Sequence, residues 1–340
     1  MAVSHDSPHG TTPRPRGRWR LPTWVAAILW IPTVAMAVVA LMRIIAWDDV
    51  ELFAVLNCLT LFIYLPAWLV APVAAPGRRF VLAGAALVIM VTQVVLLYPE
   101  LSAAEPAPSW AASAPSFRLL DPNVYAGNPS MAGNARQIIG VRPDLVTLEE
   151  ANPSDVRQLR TSGALATVPR QVEIDRTDPF AFFIACRYPL SGTHVVSLFG
   201  RPLIVQATIA LPSGPLTLWV VHTIAPLPVS FDQWKQQLAV VDRALRARGT
   251  SGILVVEDFN ATWGSKGFRA ILENGVVDAA AARGSALSMT WSQTKPIVPP
   301  LVRIDHVLTG QGVTATAIRT DMGQGSDHRD LIATIAVRGR

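Results

Sequence analysis

Ile253-Leu254-Val255-Val256-Glu257-Asp258-Phe259-Asn260 is an apolar run that closes on an acid and an amide. Its β-branched core reads as a buried strand. The two-residue alternation of a strand sends Asp258 and Asn260 to one side and turns Phe259 into the core. The pattern recurs along the chain. Asp144-Leu145-Val146-Thr147-Leu148-Glu149-Glu150 drives an apolar run into two carboxylates, of which alternation lets only one face a given side. Ser116 to Asn123 ends in an amide, Leu218-Trp219-Val220-Val221-His222 in an imidazole, and Val302-Arg303-Ile304-Asp305-His306 and Ser326-Asp327-His328 complete the set. Each has a plain reading alone: a strand-end Asn forms turns, a lone His is structural, and paired acids are solvated. Together they say more. Charge at the end of a buried strand is costly unless it is used, and strand ends are where sites are assembled.

Working outward, short β-rich runs cover 117–125, 144–149, 180–186, 194–199, 203–211, 216–222, 252–257, 301–308 and 331–337. Helical patterns fall at about 130–140, 154–161, 231–248 and 267–273. Ser213-Gly214 reads as a hairpin turn, and Ser230 and Gly249 bracket the longest helix as N-cap and stop. Strand pairs without regular βαβ alternation predict an α+β fold of stacked mixed sheets with helices outside.

The first hundred residues differ in kind. The chain of 340 residues is 51% hydrophobic and 16% charged, too apolar for one ordinary soluble domain. Residues 1–21 read as a disordered tail. Apolar stretches at about 22–46, 50–73 and 80–98 each near the ~20 residues that cross a bilayer as a helix, with Trp24, Trp47, Trp68 and Tyr98 near their ends. Arg14, Arg16, Arg18 and Arg20 precede the first and Arg78 and Arg79 the third, whereas Asp48, Asp49 and Glu51 lie between the first two. Basic loops face the cytoplasm, so three spans put everything after residue 98 outside. The competing reading is a signal peptide cleaved after Ala35-Met36-Ala37; a long first run and two further spans argue against it. Asn57, Thr92 and Gln93 are assigned to helix–helix hydrogen bonds rather than to a cavity. Residues 99–116 have linker composition, leaving 117–340 as one external domain. Residues 101–340 carry 22 basic against 19 acidic groups, not the basic balance of a typical nucleic-acid binder. Trp263 is assigned to the core in preference to a lipid contact. Cys58 and Cys186 fall in different parts and should not pair.

The blocks at Asn123, Leu148-Glu149-Glu150, Tyr188-Pro189-Leu190, His222, Asp258-Phe259-Asn260, Ile304-Asp305-His306 and Ser326-Asp327-His328 resemble the endonuclease/exonuclease/phosphatase (DNase I-like) superfamily over about 117–337. That resemblance implies a four-layer α/β sandwich and metal-dependent hydrolysis of phosphoric esters or anhydrides. It implies Mg²⁺, with Mn²⁺ as alternative, held by Glu150, Asn123 and Asp327. Asp258 would activate water, Asn260 hold water or phosphate, Asp305 orient His328, and His328 and His222 assist at the phosphate. Apart from the resemblance, Arg187 and Arg303 are nearby cations that could form a local pocket for a phosphate substrate, with Asn123 beside them. Glu149 occupies the usual Gln position. Two further departures stand out. Glu257 replaces the usual Gly, and either adds charge beside the site or points away; Cys186 stands where a Ser is common.

The superfamily does not fix the substrate. A catalytic domain tethered outside a bacterial membrane meets lipid head groups at high effective concentration. The arrangement resembles the membrane-bound actinobacterial subgroup of teicoplanin-type resistance, which implies a polyprenyl (undecaprenyl) pyrophosphate in the cell envelope. The rivals are a surface nuclease acting on DNA and a non-catalytic envelope-binding protein; the sequence leaves the oligomeric state open.

Overall fold

A computed structural model describes residues 19–176, 178–293 and 298–339. Residues 1–18, which carry most of the expected tail and its Arg14, Arg16 and Arg18, lie outside it. Two six-stranded sheets face each other. The first has the order β11 (Val313–Asp321), β12 (Asp330–Val337), β1 (Ser116–Asp121), β2 (Leu145–Glu149), β4 (Phe182–Cys186), β3 (Arg170–Ile174). The second runs β5 (Leu190–Leu198), β6 (Arg201–Leu211), β7 (Gly214–His222), β8 (Ile253–Asp258), β10 (Asp305–Thr309), β9 (Val277–Asp278). The alternating positions that the sequence marks as apolar meet between the sheets: Phe117, Leu119, Leu145 and Ile184 from the first, Val205, Leu218, Val220 and Leu254 from the second. Helices α6 (Ala132–Val141) and α7 (Pro153–Thr161) cover the outer face of one sheet, α8 (Phe231–Arg248) and α9 (Lys266–Leu272) that of the other, and α10 (Ala279–Ala282) follows β9. The result is the expected four-layer sandwich.

All nine predicted strands form. The three that periodicity does not reveal, β3, β9 and β11, each lie at a sheet edge. β3 and β11 are half exposed and therefore less apolar. Helix α8 ends at Gly249, whose φ of 74° suits glycine. Ser230 does not cap it, because its hydroxyl donates to Ala225 O instead. The tightest cap belongs to α7, where Asn152 and Asp155 form a reciprocal capping box. Cys58 and Cys186 are both free thiols.

The amino-terminal part departs from three straight spans. Two helices, α1 (Thr23–Ile45) and α5 (Phe80–Leu101), are long and apolar enough to cross a membrane. The stretch between them is broken into α2 (Glu51–Cys58), α3 (Thr60–Ile63) and α4 (Leu65–Ala74), with a bend of 79° after α2. Arg79 donates to Leu21 O (2.9 Å) and Leu21 N to Gly77 O (3.0 Å), so the end of this stretch returns beside the start of α1. The break leaves carbonyls unpaired, and Gln93 supplies the missing donors: its Nε2 serves Leu61 O (2.8 Å) and Thr60 O (3.3 Å), while its Oε1 accepts from Trp68. Gln93 thus has the expected interhelical role, whereas Thr92 bonds only its own helix at Val88 O.

Residues 99–116, read as a linker, are not a free tether. Helix α5 continues through Leu101, Glu105 N donates to Ala282 O, and Ala111 is buried. The helices dock directly on the sandwich. Trp47 Nε1 donates to Gly264 O (2.8 Å) and Trp263 Nε1 to Leu96 O (3.3 Å). Gly264 is required by contact: a Cβ there would lie 2.0 Å from Asn57 O. Trp263, expected in the core of the sandwich, thus reaches the end of α5 instead.

Candidate active site

Strand register assembles half of the site. β7 and β8 run parallel with His222 beside Asp258, and β8 pairs antiparallel with β10 so that Asp258 faces Asp305. Three site groups thus stand in a row across one sheet end. The other sheet supplies the opposing half: Asn123 bridges to Glu149 at the end of β2, and Ser326-Asp327-His328 leads into β12. Ser326 Oγ closes the gap by donating to Asn123 O (2.6 Å) and accepting from His328 N (3.0 Å).

Asn123 lies at the centre. Its Nδ2 donates to Glu150 Oε1 (3.1 Å) and Asp258 Oδ2 (3.0 Å). His222 Nε2 stands 3.8 and 3.7 Å from the same two oxygens. Glu150 Oε2 accepts from Ala126 N (2.8 Å), and Asp258 Oδ1 from Asn260 N (2.9 Å). Across the site His328 gives Nδ1 to Asp305 (3.0 Å) and turns Nε2 toward Asp258 Oδ2 (3.7 Å), with Asp327 4.0 Å away. Asp327 also accepts from Trp291 Nε1 (3.0 Å), and Asn260 Nδ2 donates to Thr223 O (2.9 Å). The structure therefore brings together Asn123, Glu150, His222, Asp258, Asn260, Asp305, Asp327 and His328.

It does not bring Arg187 or Arg303 there. Arg187 follows the opposite end of β4, exposed and paired with Asp144 at 3.2 Å. Arg303 is buried at the junction with α5, held by Glu100 (2.5 Å) and Asp278 (2.6 Å). Two cations already neutralised at other places cannot serve as the phosphate contacts expected of them.

Alternation along β2 misleads at its last step. Glu149 is inward with Leu145 and Thr147, but Glu150 takes a left-handed backbone (φ 61°) that breaks the alternation and brings its carboxylate to Asn123 and His222. Beneath it, Glu149 hydrogen-bonds Asp121, which also accepts from Thr147 Oγ1. Asp121 is a site-layer residue that sequence reading missed; its signal is its position two before Asn123, on the same face of β1. Glu257 points away from the site. It pairs in register with His306 on the face that packs against α9, and neither of its oxygens has a partner among the described residues.

The two histidines are electrostatically unlike. Burial depresses His222, stacked on Phe180 at 5.2 Å, and keeps it neutral despite Glu150. Burial also opposes charge on His328, but Asp305 and Asp258 outweigh it and raise its pKa to about 10. Burial, then the charge of Asp305, pushes Asp258 up to about 8. Burial lifts Asp121 to about 7 and Glu149 well above the usual range.

This donor set fits a hard divalent cation. Carboxylate oxygens of Glu150 and Asp258 converge on one amide, and such ions take oxygen ligands. Asn123 would have to turn to join them, since its Oδ1 now accepts from Tyr125 N. Asp258, Asp305 and His328 also bring ligand-type atoms within 4.8 Å of one another. The Glu150 and Asp258 oxygens joined by Asn123 lie beside this group, so the two sets of donors share Asp258.

A family profile described as Endonuclease/Exonuclease/phosphatase family matches residues 123–328. No curated protein matches the chain. Among solved structures, the humanized D. rerio TDP2 with 14 mutations is similar with a TM-score of 0.53 and 18% identity, covering 65% of this chain and 99% of that one. A 3' phosphatase NExo from Neisseria, bound to product DNA hairpin, gives 0.52 and 16%, covering 64% and 98%. An endonuclease/exonuclease/phosphatase from Beutenbergia cavernae gives 0.51 and 17%, covering 66% and 72%.

Proposed function

The chain belongs to the endonuclease/exonuclease/phosphatase family and is a hydrolase of phosphoric esters; from that premise we propose that it is a membrane-anchored, Mg²⁺-dependent phosphohydrolase acting on a polyprenyl pyrophosphate at the outer face of a bacterial membrane. One observation carries the reading. The site and the anchor share one end of the sandwich: Trp263, three positions after Asn260, bonds the carbonyl of Leu96 in α5. A substrate held in the bilayer by its tail would present its pyrophosphate at that level. The charge on Arg187 and Arg303 is neutralised away from the site, so neither supplies one of the several phosphate contacts that duplex DNA binding requires. On this reading the protein resembles the membrane-bound enzymes of teicoplanin-type resistance.

The chain's own groups have separable parts in the reaction. Asp258, fixed by Asn123 and Asn260 N, orients the attacking water and in its ionised form, which a bound cation would favour, receives its proton. His328, kept cationic by Asp305, faces the same place through Nε2 and offers a proton and positive charge to the phosphate oxygens. His222, kept neutral by burial, turns Nε2 toward Glu150 and Asp258, where it would donate a hydrogen bond to a phosphate oxygen. Glu150 and Asp258, with Asn123 and Asp327 beside them, would hold the cation, which when bound neutralises charge developing on the phosphate oxygens.

The deciding experiment assays the purified full chain with Mg²⁺ in detergent against polyprenyl pyrophosphate, phospholipid and plasmid DNA. Phosphate release from the first is expected. Nicking of plasmid without phosphate release would transfer the assignment to a surface nuclease, and an envelope phenotype that survives Glu150→Gln would make it a binder. Orientation has its own test: a carboxy-terminal alkaline phosphatase fusion should be active in cells, and an inactive one would put the domain inside.

A further inference from the structure

The Asp305–His328 pair is built across the two sheets. Asp305 opens β10 of the second, and His328 precedes β12 of the first. Thr290 stands between the two carriers and bonds both. Its hydroxyl accepts from Ile304 N (3.1 Å) and Asp305 N (3.3 Å). Its carbonyl accepts from Arg329 N (2.8 Å), the amide that follows His328. Its own N donates to Val302 O (2.9 Å), and Trp291 bridges to both Val302 and His328. The stretch is thus laced into both halves of the site, and Thr290 itself is 0% exposed.

These bonds run to backbone, so they fix where two backbones lie. The bond from His328 Nδ1 to Asp305 is 3.0 Å, and a shift of either backbone would lengthen it. A side-chain pair keeps a working geometry when the groups beneath it are held by hydrogen bonds of their own. Ile304 carries the effect further, because its carbonyl accepts from Phe259 N (3.1 Å), between Asp258 and Asn260. A buried N–H left without an acceptor is costly. Loss of the Thr290 hydroxyl would draw both amides toward another partner and move Asp305 with them.

We propose that Thr290 is a positioning residue for hydrolysis: its hydroxyl and carbonyl set the spacing between the Asp305 and His328 backbones, and through it the aim of His328 Nε2 at Asp258. Closed to solvent, it acts through Asp305 and not on the substrate. The proposal rests on the hydrolase reading for its rate measurement; the spacing itself can be read without turnover.

Two measurements on the full chain in detergent test it, with Thr290→Val, which replaces the hydroxyl by a methyl, and Thr290→Ser, which keeps the hydroxyl. The first is proton NMR of His328 Nδ1–H, drawn downfield by its bond to Asp305 and identified by its loss in His328→Gln. Wild type and Thr290→Ser should show the resonance at one position, and Thr290→Val should shift it or lose it to exchange with water. The second is hydrolysis of polyprenyl pyrophosphate or, if wild type does not turn that over, nicking of plasmid DNA. In Thr290→Val kcat should fall by on the order of tenfold with KM within about twofold, while Thr290→Ser stays within about twofold of wild type. Added to Asp305→Asn, Thr290→Val should lower the rate by less than about twofold more, because the pair it serves is already broken. A Thr290→Val chain that melts lower yet keeps the resonance and kcat would make the residue merely structural and overturn the proposal. So would a Thr290→Ser as impaired as Thr290→Val. If Thr290→Val does not fold, Thr290→Ala is read in its place, and failure of both to fold would also overturn a positioning role. A wild type inactive on both probes, with a resonance that still follows the hydroxyl, would remove the hydrolase reading and leave the spacing role standing.

Discussion

Glu149→Gln is the sharpest perturbation of the layer beneath the site. Glu149 is 1% exposed, one oxygen has no partner among the described residues, and its carboxyl bonds Asp121. Burial, then the charges of Asp121 and Asp258, raises its pKa well above 4.5. A protonated Glu donates to Asp121 as a Gln amide would, so the acid acts here as a neutral donor. The sign follows. Above the unfolded pKa of 4.5 and below the raised folded one, the native state holds a proton that the unfolded state has released. Wild-type stability therefore falls as pH rises through that window, by up to about 1.4 kcal/mol per pH unit. The substituted amide takes up no proton, so the variant should gain on wild type by that amount with each unit. In a domain of about 220 residues, 1 kcal/mol moves Tm by roughly 2–4 °C, which makes the expected divergence about 3–6 °C per pH unit. Thermal melts of the full chain in detergent and EDTA, from about pH 5.5 to about pH 8, read it without cation binding at Glu150. A Tm difference that stays constant over that range would mean that Glu149 is ionised in the fold, and the argument would be wrong. Hydrolysis by the variant should remain near wild type, because the donor to Asp121 is kept.

Glu150→Gln should lower Mg²⁺-dependent hydrolysis by on the order of a hundredfold, about 2.7 kcal/mol, and EDTA should abolish turnover of the wild type; full activity in EDTA would refute metal dependence. In Asp305→Asn, His328 loses the carboxylate that does most to hold its pKa at about 10, so the alkaline loss of activity should move to lower pH and the rate above neutrality should fall by on the order of a hundredfold. An unchanged alkaline limb would show that His328 is not the group being read. Arg303→Met would leave Asp278 and Glu100 buried without their cation; the expected loss is about 3–5 kcal/mol, together with faster proteolysis in residues 102–115, and a melt matching wild type would contradict it.

Much of this was legible along the chain. The strand blocks around Asn123, Glu150, His222, Asp258, Asp305 and His328 are local patterns: a buried strand must be apolar, and a polar group at its end shows against that background. The three missed strands, β3, β9 and β11, are edges, where one-sided exposure blurs the alternation. The bend after α2 was hidden because hydropathy reports apolarity and not straightness, and the donor that makes the break tolerable, Gln93, lies on another helix.

Sequence alone determined the sandwich, the apolar helices before it and the identity of most groups in the site, because each follows from short-range periodicity and from the cost of burying charge. The tertiary structure decided which charges are used. Arg187 and Arg303 read as cations available to a phosphate until folding placed each beside its own acid. Glu149 and Glu150 are adjacent carboxylates, and the left-handed backbone at Glu150 is what separates the buried donor from the more accessible carboxylate. Two histidines of one intrinsic pKa became a cation and a neutral ring because Asp305 lies against only one of them. Electrostatic character depends on distance and desolvation, and those quantities exist only once the chain has folded.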